Sequence, residues 1–190
     1  PYFVHWGEEF GGVFTHIGGS EEALAYLRNS SGVLNVDENE GEEIIWRDEN
    51  YAKPHDAFTN AKNLYARAKD FQWNKGINES FFKFKLKESP SEEAVKQITV
   101  DFSFPSYKVD WSYDSKTNAY SRFLADLKQN NILVKNVIVQ VLPSQLIEGD
   151  EKGRLSMPVV GSGRAIYFLD GKKLSGTWKK SDYGEKTVFY

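Results

Sequence analysis

The chain has 190 residues, which is long enough to bury a core either as one large domain or as two small ones. Its formal net charge of −3 gives no broad attraction to phosphate, so nucleic acid is a poor candidate partner. The absence of cysteine excludes disulfides, thiolate catalysis and thiolate metal ligands, and no run of about 18 apolar residues suggests a membrane span.

The first elements along the chain predict a strand followed by a helix. "GVFTHI" (12–17) has the character of a short buried strand, and Gly18 and Gly19 follow it as a turn. Ser20 is placed to cap a helix, because its hydroxyl can accept from a backbone N–H that has no partner within the helix. Gly32 is a plausible end for that helix.

A second helix is predicted from residue 59 onward. Ala61, Leu64, Tyr65 and Ala68 recur at the spacing of one helix face. Beyond it, "FFKFKLK" (81–87) alternates strictly, which predicts a strand with its phenylalanines and leucine inward and its lysines outward.

The remainder of the chain is rich in strand patterns. These are "ITVDFSF" (98–104), "YKVDWSY" (107–113), "AYSRFL" (119–124), "ILVKNVIVQVL" (132–142), "GRAIYFL" (163–169) and "KKLSGTW" (172–178). Asp170 and Gly171 join the last two, and an Asp-Gly pair is typical of a two-residue hairpin. We therefore predict an α+β protein with a mixed α/β part at 1–90 and a β-rich, largely antiparallel part at 91–190.

The chain has three histidines that could take part in a functional site. His5 has no evident partner in the sequence, so we interpret it as incidental. His16 ends the first strand and His55 follows Pro54, and each precedes a predicted helix by a few residues. Strand ends of this kind often meet at one edge of a sheet, where ligand clefts form, so we predict that His16 and His55 share one face.

Two kinds of chemistry could use these residues. A hydrolytic triad could be formed from the side chains of Ser20, His55 and Asp56. However, no G-x-S-x-G turn is present, and a serine that caps a helix already has its oxygen engaged. His16, His55 and Asp56 could ligate a metal, but they lack the spacing of known metal motifs. We expect no catalytic residue, no metal and no cofactor.

Two arginines lie in apolar, strand-like surroundings. Because an unpaired buried guanidinium is costly, Arg47 and Arg122 must each meet a carboxylate, a carbonyl or a ligand. A structural ion pair is the simpler interpretation for both.

Several motifs in a fixed order resemble the YerB-like lipoproteins, a family of bacterial envelope proteins with a domain of unknown function. They are "YFV…FTHIGGSEEAL", "WRDENYAKPHDAFTN", "WSYD…YSRFL", "NVIVQV" and "GSGRAIYFLDGKKLSGTW". The matching positions are His16, Gly18, Gly19, Ser20, Arg47, Pro54, His55, Tyr113, Arg122, Asn136 and Trp178. The resemblance implies an α/β domain followed by a β-rich one, and a location outside the cytoplasm, anchored to the membrane. It implies no reaction.

One position departs from the family pattern. After the Pro-His pair the family typically has asparagine, whereas this chain has Asp56. The added charge would alter a catalytic pair, so the departure favours a structural or binding role. The chain begins at Pro1 and ends in the strand-like "EKTVFY", so we also expect a trimmed protein whose lipid anchor is absent from it.

The resulting hypothesis is an extracytoplasmic module that binds a ligand or protein at the bacterial envelope and meets the membrane only through that anchor. The candidate site is the edge where the 16–20 turn and the 53–58 loop meet; its residues are His16, Gly18, Gly19, Ser20, Arg47, His55, Asp56 and Arg122. The alternative is a hydrolase that acts on cell-wall material through His16 and His55. A shallow aromatic surface would favour the binding module, and a deep polar pocket would favour the enzyme.

Overall fold

The computed structural model describes residues 2–30, 32–71, 82–102 and 104–190, and it divides into two compact units. Unit 1 holds Pro1–Phe82 together with Lys180–Thr187, and unit 2 holds Lys83–Lys179 together with Val188–Tyr190. The boundary predicted at residue 90 differs from this division, because the first crossing lies after Phe82 and a late segment returns to unit 1. The chain therefore passes between the units three times.

Unit 1 combines short strands with three helices. Its elements are α1 (Tyr2–Glu9), β1 (Phe14–Thr15), α2 (Glu21–Asn29), β2 (Asn35–Val36), β3 (Trp46–Arg47), β4 (Ala57–Phe58) and α3 (Ala61–Asp70). β1 pairs with β2 in parallel, and β3 pairs with β4 antiparallel. Two small cores support these elements. One is formed by Val4, Ala23, Leu27 and Val33, and the other by Val36, Ile44 and Ile45.

Both predicted helices are present, and their caps explain where they begin. The Ser20 hydroxyl accepts from the Ala23 N–H at 3.3 Å, as predicted, and the Asn60 side chain accepts from the Asn63 N–H at 2.9 Å. α2 ends at Asn29 with Ser30 as its C-cap, so the end predicted at Gly32 is wrong. α1 was not predicted, since its buried side chains do not form a regular apolar stripe.

Unit 2 is built from two four-stranded antiparallel sheets and one short ladder. Its strands are β5 (Gln97–Val100), β6 (Val109–Asp114), β7 (Ala119–Leu124), β8 (Leu127–Val134), β9 (Asn136–Gln140), β10 (Gln145–Leu146), β11 (Leu155–Ser156), β12 (Gly161–Leu169), β13 (Lys172–Lys180) and β14 (Val188–Phe189). The sheet orders are β5-β6-β7-β8 and β14-β13-β12-β9, and β10 pairs with β11. A 3-10 helix, Pro105–Tyr107, precedes β6.

The core of unit 2 draws on both sheets, through Ile98, Tyr113, Tyr120, Val137 and Phe168. The α+β class and the antiparallel second part are thereby confirmed. The single strand predicted over 132–142 is instead two strands, β8 and β9, in different sheets. None of the helices in the described residues is long and apolar enough to cross a membrane.

The predicted Asp-Gly hairpin between β12 and β13 is confirmed. Asp170 and Gly171 have φ angles of +53° and +74°, which is the pair of positive values that a type I′ turn needs. The Gly171 N–H donates to the Tyr120 hydroxyl at 3.1 Å, and its carbonyl accepts from the Val95 N–H at 2.8 Å. The turn thus ties three parts of unit 2 together.

The strand predicted over 81–87 is wrong for the residues described, 82–87, while residue 81 lies outside the described part. No strand forms there, and Phe84 and Leu86 are exposed instead of inward. Lys85 forms an ion pair with the buried Asp170 while its own side chain stays 46% exposed. Residues 82–87 are all exposed, so this segment has no buried face.

Candidate functional site

The candidate site in unit 1 centres on the hairpin formed by β3, β4 and the loop between them, residues 46–58. Trp46 lies opposite Phe58 and Arg47 lies opposite Ala57. Since directly opposed residues share a face, the two aromatic rings lie on one side and Arg47 on the other. Ala57 packs against the core formed by Val36, Ile44 and Ile45, so we call the Arg47 side the inner side, where the Arg47 side chain itself is 38% exposed.

Arg47 joins two carboxylates on that inner side. Its Nη1 donates to Asp56 Oδ1 at 2.6 Å and its Nη2 donates to Glu38 Oε2 at 2.7 Å. Asp56 is buried, and a buried carboxylate is stable in its charged form only with such a partner. The interpretation of Arg47 as a structural ion pair is confirmed. The same pair gives Asp56, the position that departs from the family pattern, a structural role.

The outer side of the hairpin carries three aromatic rings, Trp46, Tyr51 and Phe58, which we call the aromatic face. The ring centroids of Trp46 and Phe58 are 6.4 Å apart with an interplanar angle of 25°, and those of Tyr51 and Phe58 are 5.0 Å apart. Tyr51 is 55% exposed, whereas Trp46 and Phe58 are half-buried. A turn closed by Asp48, whose carboxylate accepts from the Asn50 N–H at 3.0 Å, positions Tyr51.

His16 fixes the turn that precedes α2. Its Nδ1 lies 2.8 Å from the Gly18 carbonyl oxygen, so Nδ1 carries the proton and donates. Nε2 is buried without a hydrogen-bond partner among the described residues. Gly18 has a φ of +61°, and a Cβ on Gly19 would lie 3.2 Å from the Leu24 side chain, so both glycines serve the turn.

His55 is exposed, at the end of the 46–58 loop. Its backbone N–H donates to the Ala52 carbonyl at 2.8 Å, and the Lys53–Pro54 bond before it is cis. The described residues offer its ring no carboxylate, since the neighbouring Asp56 is bound to Arg47. Ser20 is engaged as a helix cap and Asp56 is bound to Arg47, so two of the three groups considered for a hydrolytic triad already have other partners.

The turn at 16–20 and the 46–58 hairpin are both attached to the same segment, β2 and the residues that follow it. The His16 N–H donates to the Val36 carbonyl at 3.0 Å, and Glu38, two residues later, binds Arg47. This connection agrees with the predicted neighbourhood of the two loops. That the rings of His16 and His55 share one face stays a prediction.

The inclusion of Arg122 in the candidate site stays a prediction. Arg122 lies on β7 in unit 2, opposite Trp111 on β6, with its guanidinium 6.0 Å from the Trp111 ring centroid. This distance suits a cation–π contact, which the sequence interpretation did not include.

Sequence reasoning missed a buried polar cluster in unit 1. Lys180 Nζ donates to Glu9 Oε2 at 2.7 Å, and both side chains are buried, at 0% and 5% exposure. The Thr187 N–H donates to Glu9 Oε1 at 2.7 Å. Glu9 and Lys180 are 171 positions apart, so no local spacing could have signalled the pair.

His5, interpreted as incidental, is also buried beside the returning segment. Its ring stacks on Tyr183 with 4.1 Å between centroids and meets Tyr26 edge-on at 4.6 Å. Burial lowers the pKa of His5, so the neutral ring is favoured. Burial and a hydrogen bond to Glu8 raise the pKa of Tyr26 to about 12.

No group of three or more His, Asp or Glu side chains in the described ranges is arranged to hold a metal ion. Among the polar side chains of the site, Ser20, Arg47 and Asp56 are paired within the protein. What the site offers to a partner is therefore the aromatic face and the exposed polar loop beside it.

The cap at Ser20 allows a direct test of its role. Replacing Ser20 with alanine should cost about 1 kcal/mol of stability, because the Ala23 N–H loses its acceptor. Ser20→Asp should be tolerated, since aspartate also caps and its charge suits a helix N-terminus. Urea unfolding of the three proteins measures both effects, and labelling of Ser20 by a fluorophosphonate would contradict a purely capping role.

Comparison with known proteins places the chain in a family. Residues 1–74 match the N-terminal domain, and residues 98–190 the C-terminal domain, of a protein of unknown function, DUF3048. The crystal structure of the YerB protein from Bacillus subtilis is similar, with a TM-score of 0.79 and 21% identity. That match covers 100% of this chain and 64% of the YerB chain, so this chain spans just under two thirds of that structure. No curated protein matches the chain.

Proposed function

This chain belongs to the YerB-like family of DUF3048 proteins, and from that premise we propose that it is a binding module of the bacterial cell envelope whose contact surface is the aromatic face. The proposal includes a location outside the cytoplasm and a lipid anchor, both implied by the family resemblance. Because these 190 residues contain no cysteine, a lipidated cysteine would have to lie outside them.

The observation that carries this proposal is an exposed aromatic surface on the 46–58 hairpin. Tyr51 is more than half exposed although it contacts Phe58, so part of its ring is free to meet a partner. The inner side of the same hairpin is held by the pairing of Arg47 with Asp56 and Glu38. A preorganised surface of this kind loses little conformational freedom on binding.

The chemistry of the aromatic face suits a glycan. Sugar rings present flat faces of C–H groups that stack on aromatic rings, while their hydroxyls need hydrogen-bonding groups around the stack. Here the exposed side chains of Asn50 and His55, and the half-buried side chain of Asp48, lie in the same loop as Tyr51. Glycan strands are the main polymer of the bacterial cell wall, so the proposed location and the proposed ligand agree.

The hydrolase alternative gains no support from the described contacts. The Ser20 hydroxyl caps α2, the Asp56 carboxylate binds Arg47, and His16 donates to a backbone carbonyl. A hydrolytic site needs such groups directed at one another. The contacts at this edge are those of a folded scaffold, and the exposed aromatic surface beside them is the feature that favours a binding module.

Sedimentation with purified cell-wall sacculi tests the proposal. We expect the chain to sediment with sacculi and Tyr51→Ala to weaken this binding roughly tenfold, because stacking on the exposed ring is lost. Tyr51→Phe should bind like the parent, since the ring is retained. Tyr65→Ala is the matched control, because Tyr65 is an exposed aromatic residue of the same unit, 64% exposed, outside the aromatic face. Equal binding by Tyr51→Ala and Tyr65→Ala would refute the proposal.

A further inference from the structure

Residues 83–87 of unit 2, which we call the basic–apolar segment, expose both lysines and large apolar side chains. Phe84 is 75% exposed and Leu86 is 102% exposed, the highest value of any large apolar residue in the described part of the chain. Neither lies in a helix or a strand. Isolated exposed apolar residues are ordinary, but two within five residues, each flanked by lysines, form a patterned surface.

The contacts of this segment hold it in this orientation. Lys85 pairs with the buried carboxylate of Asp170, and the Ser89 hydroxyl donates to the same carboxylate at 3.0 Å. The Ser91 N–H then donates to the Asp170 carbonyl at 2.9 Å. Lys85 stays 46% exposed, so the segment lies at the surface and is attached to the hairpin at Asp170. Phe84 and Leu86 are exposed on either side of that attachment.

The charge of the segment is positive although the chain as a whole is negative. Lys83 and Lys87 are exposed and have no ion-pair partner within 4.0 Å among the described residues. Glu88, the nearest carboxylate in sequence, is paired with Lys135 at 2.8 Å, and that contact lowers the pKa of Glu88. The two ammonium groups thus remain available to an anionic partner.

We propose that the basic–apolar segment docks on an anionic lipid bilayer. Phe84 and Leu86 would enter the boundary between headgroups and acyl chains, while Lys83 and Lys87 would meet the phosphates of the headgroups. An anionic bilayer fits both kinds of side chain in the segment. A polyanion in solution would pair with the lysines but leave Phe84 and Leu86 in water. The inference adds a second, direct membrane contact to the proposed lipid anchor, and it does not depend on the aromatic face.

Vesicle sedimentation tests the inference with the 190-residue chain. We expect binding to phosphatidylglycerol vesicles and much weaker binding to phosphatidylcholine vesicles. Lys83→Ser with Lys87→Ser should reduce binding about thirtyfold at low salt. Each lysine near an anionic surface raises the affinity by about fivefold, and the two factors multiply. Phe84→Ser with Leu86→Ser should reduce vesicle binding by roughly tenfold or more. This loss of affinity should be the same at low and at high salt, because it comes from apolar and not from charged contacts.

Matched controls separate the segment from the rest of the surface. Lys172→Ser with Lys173→Ser removes two exposed lysines elsewhere in unit 2, and Leu127→Ser with Leu133→Ser removes side chains that are 70% and 61% exposed on β8. Both control pairs should bind vesicles like the parent.

A spectroscopic measurement guards against variants that fold poorly. In Leu86→Trp, the added indole should be quenched by brominated phosphatidylglycerol more strongly than the five native tryptophans of the parent. Equal binding to both lipids, or equal losses in segment and control variants, would overturn the inference. So would self-association that depends on Phe84 and Leu86, since it would assign the patch to a second copy of the chain.

Discussion

Replacing Gly171 with valine should unfold unit 2 at denaturant concentrations where unit 1 remains folded. Gly171 has a φ of +74°, which a β-branched residue adopts only with strain. A Cβ at this position would also lie 2.7 Å from Ala94 Cβ and 2.7 Å from Tyr113 Cε1, both well below contact distance. Strain and overpacking together should cost about 3–5 kcal/mol.

A second glycine in the same unit provides the control for this substitution. Gly153 has a φ of +62°, but a Cβ there would meet nothing within 4 Å. Gly153→Val should therefore show the strain alone, about 1–2 kcal/mol. Amide exchange measured along the chain reports each unit separately. Fast exchange of residues 163–178 in the unmodified protein would contradict the central hairpin, and equal effects of the two substitutions would contradict the clash.

Replacing Lys180 with methionine should destabilise unit 1 by about 3–5 kcal/mol, because the carboxylate of Glu9 would stay buried without its cation. Methionine has a similar length, so the loss is one of charge and not of volume. Two hydrogen bonds from Thr187 would still reach Glu9, but they do not neutralise it. The free energy of unfolding from urea titration measures the effect.

Two variants give this prediction its controls. In Glu9→Gln with Lys180→Met the buried charge is absent, so most of the lost stability should return, and the double-mutant cycle isolates the pair. Lys135→Met removes the same side chain from the exposed pair with Glu88, where both partners are over half exposed, and should cost less than about 1 kcal/mol. A Lys180→Met protein as stable as Lys135→Met would contradict the buried pair.

The features that were predictable from the sequence are those with local causes. The Asp170-Gly171 turn and the Ser20 cap depend on residues within a few positions of one another, and both are confirmed. The α+β class follows from the spacing of apolar residues along each element, which is also local. For Arg47 the need for a carboxylate was predictable from its surroundings, but the choice of Asp56 and Glu38 was not.

The features that were not predictable depend on partners far away in the chain. The strand over residues 82–87 was predicted from alternation alone, but no strand forms there, and Lys85 pairs instead with the distant Asp170. His5 and Glu9 gave no signal of burial because Tyr183 and Lys180, which cover them, lie near the other end of the chain. Local patterns therefore identify most elements, whereas contacts with distant residues decide which side chains are buried.

The return of Lys180–Thr187 to unit 1 has a consequence for the order of folding. A chain that leaves the ribosome or a secretion channel with its N-terminus first presents α1 long before Lys180 follows. Until then Glu9 has no cation and His5 no stacking partner from Tyr183, so the first unit can close only after nearly the whole chain has emerged. Unit 2 is completed only by Val188–Tyr190, which emerge later still, so neither unit has all of its segments before residue 187 has left the ribosome.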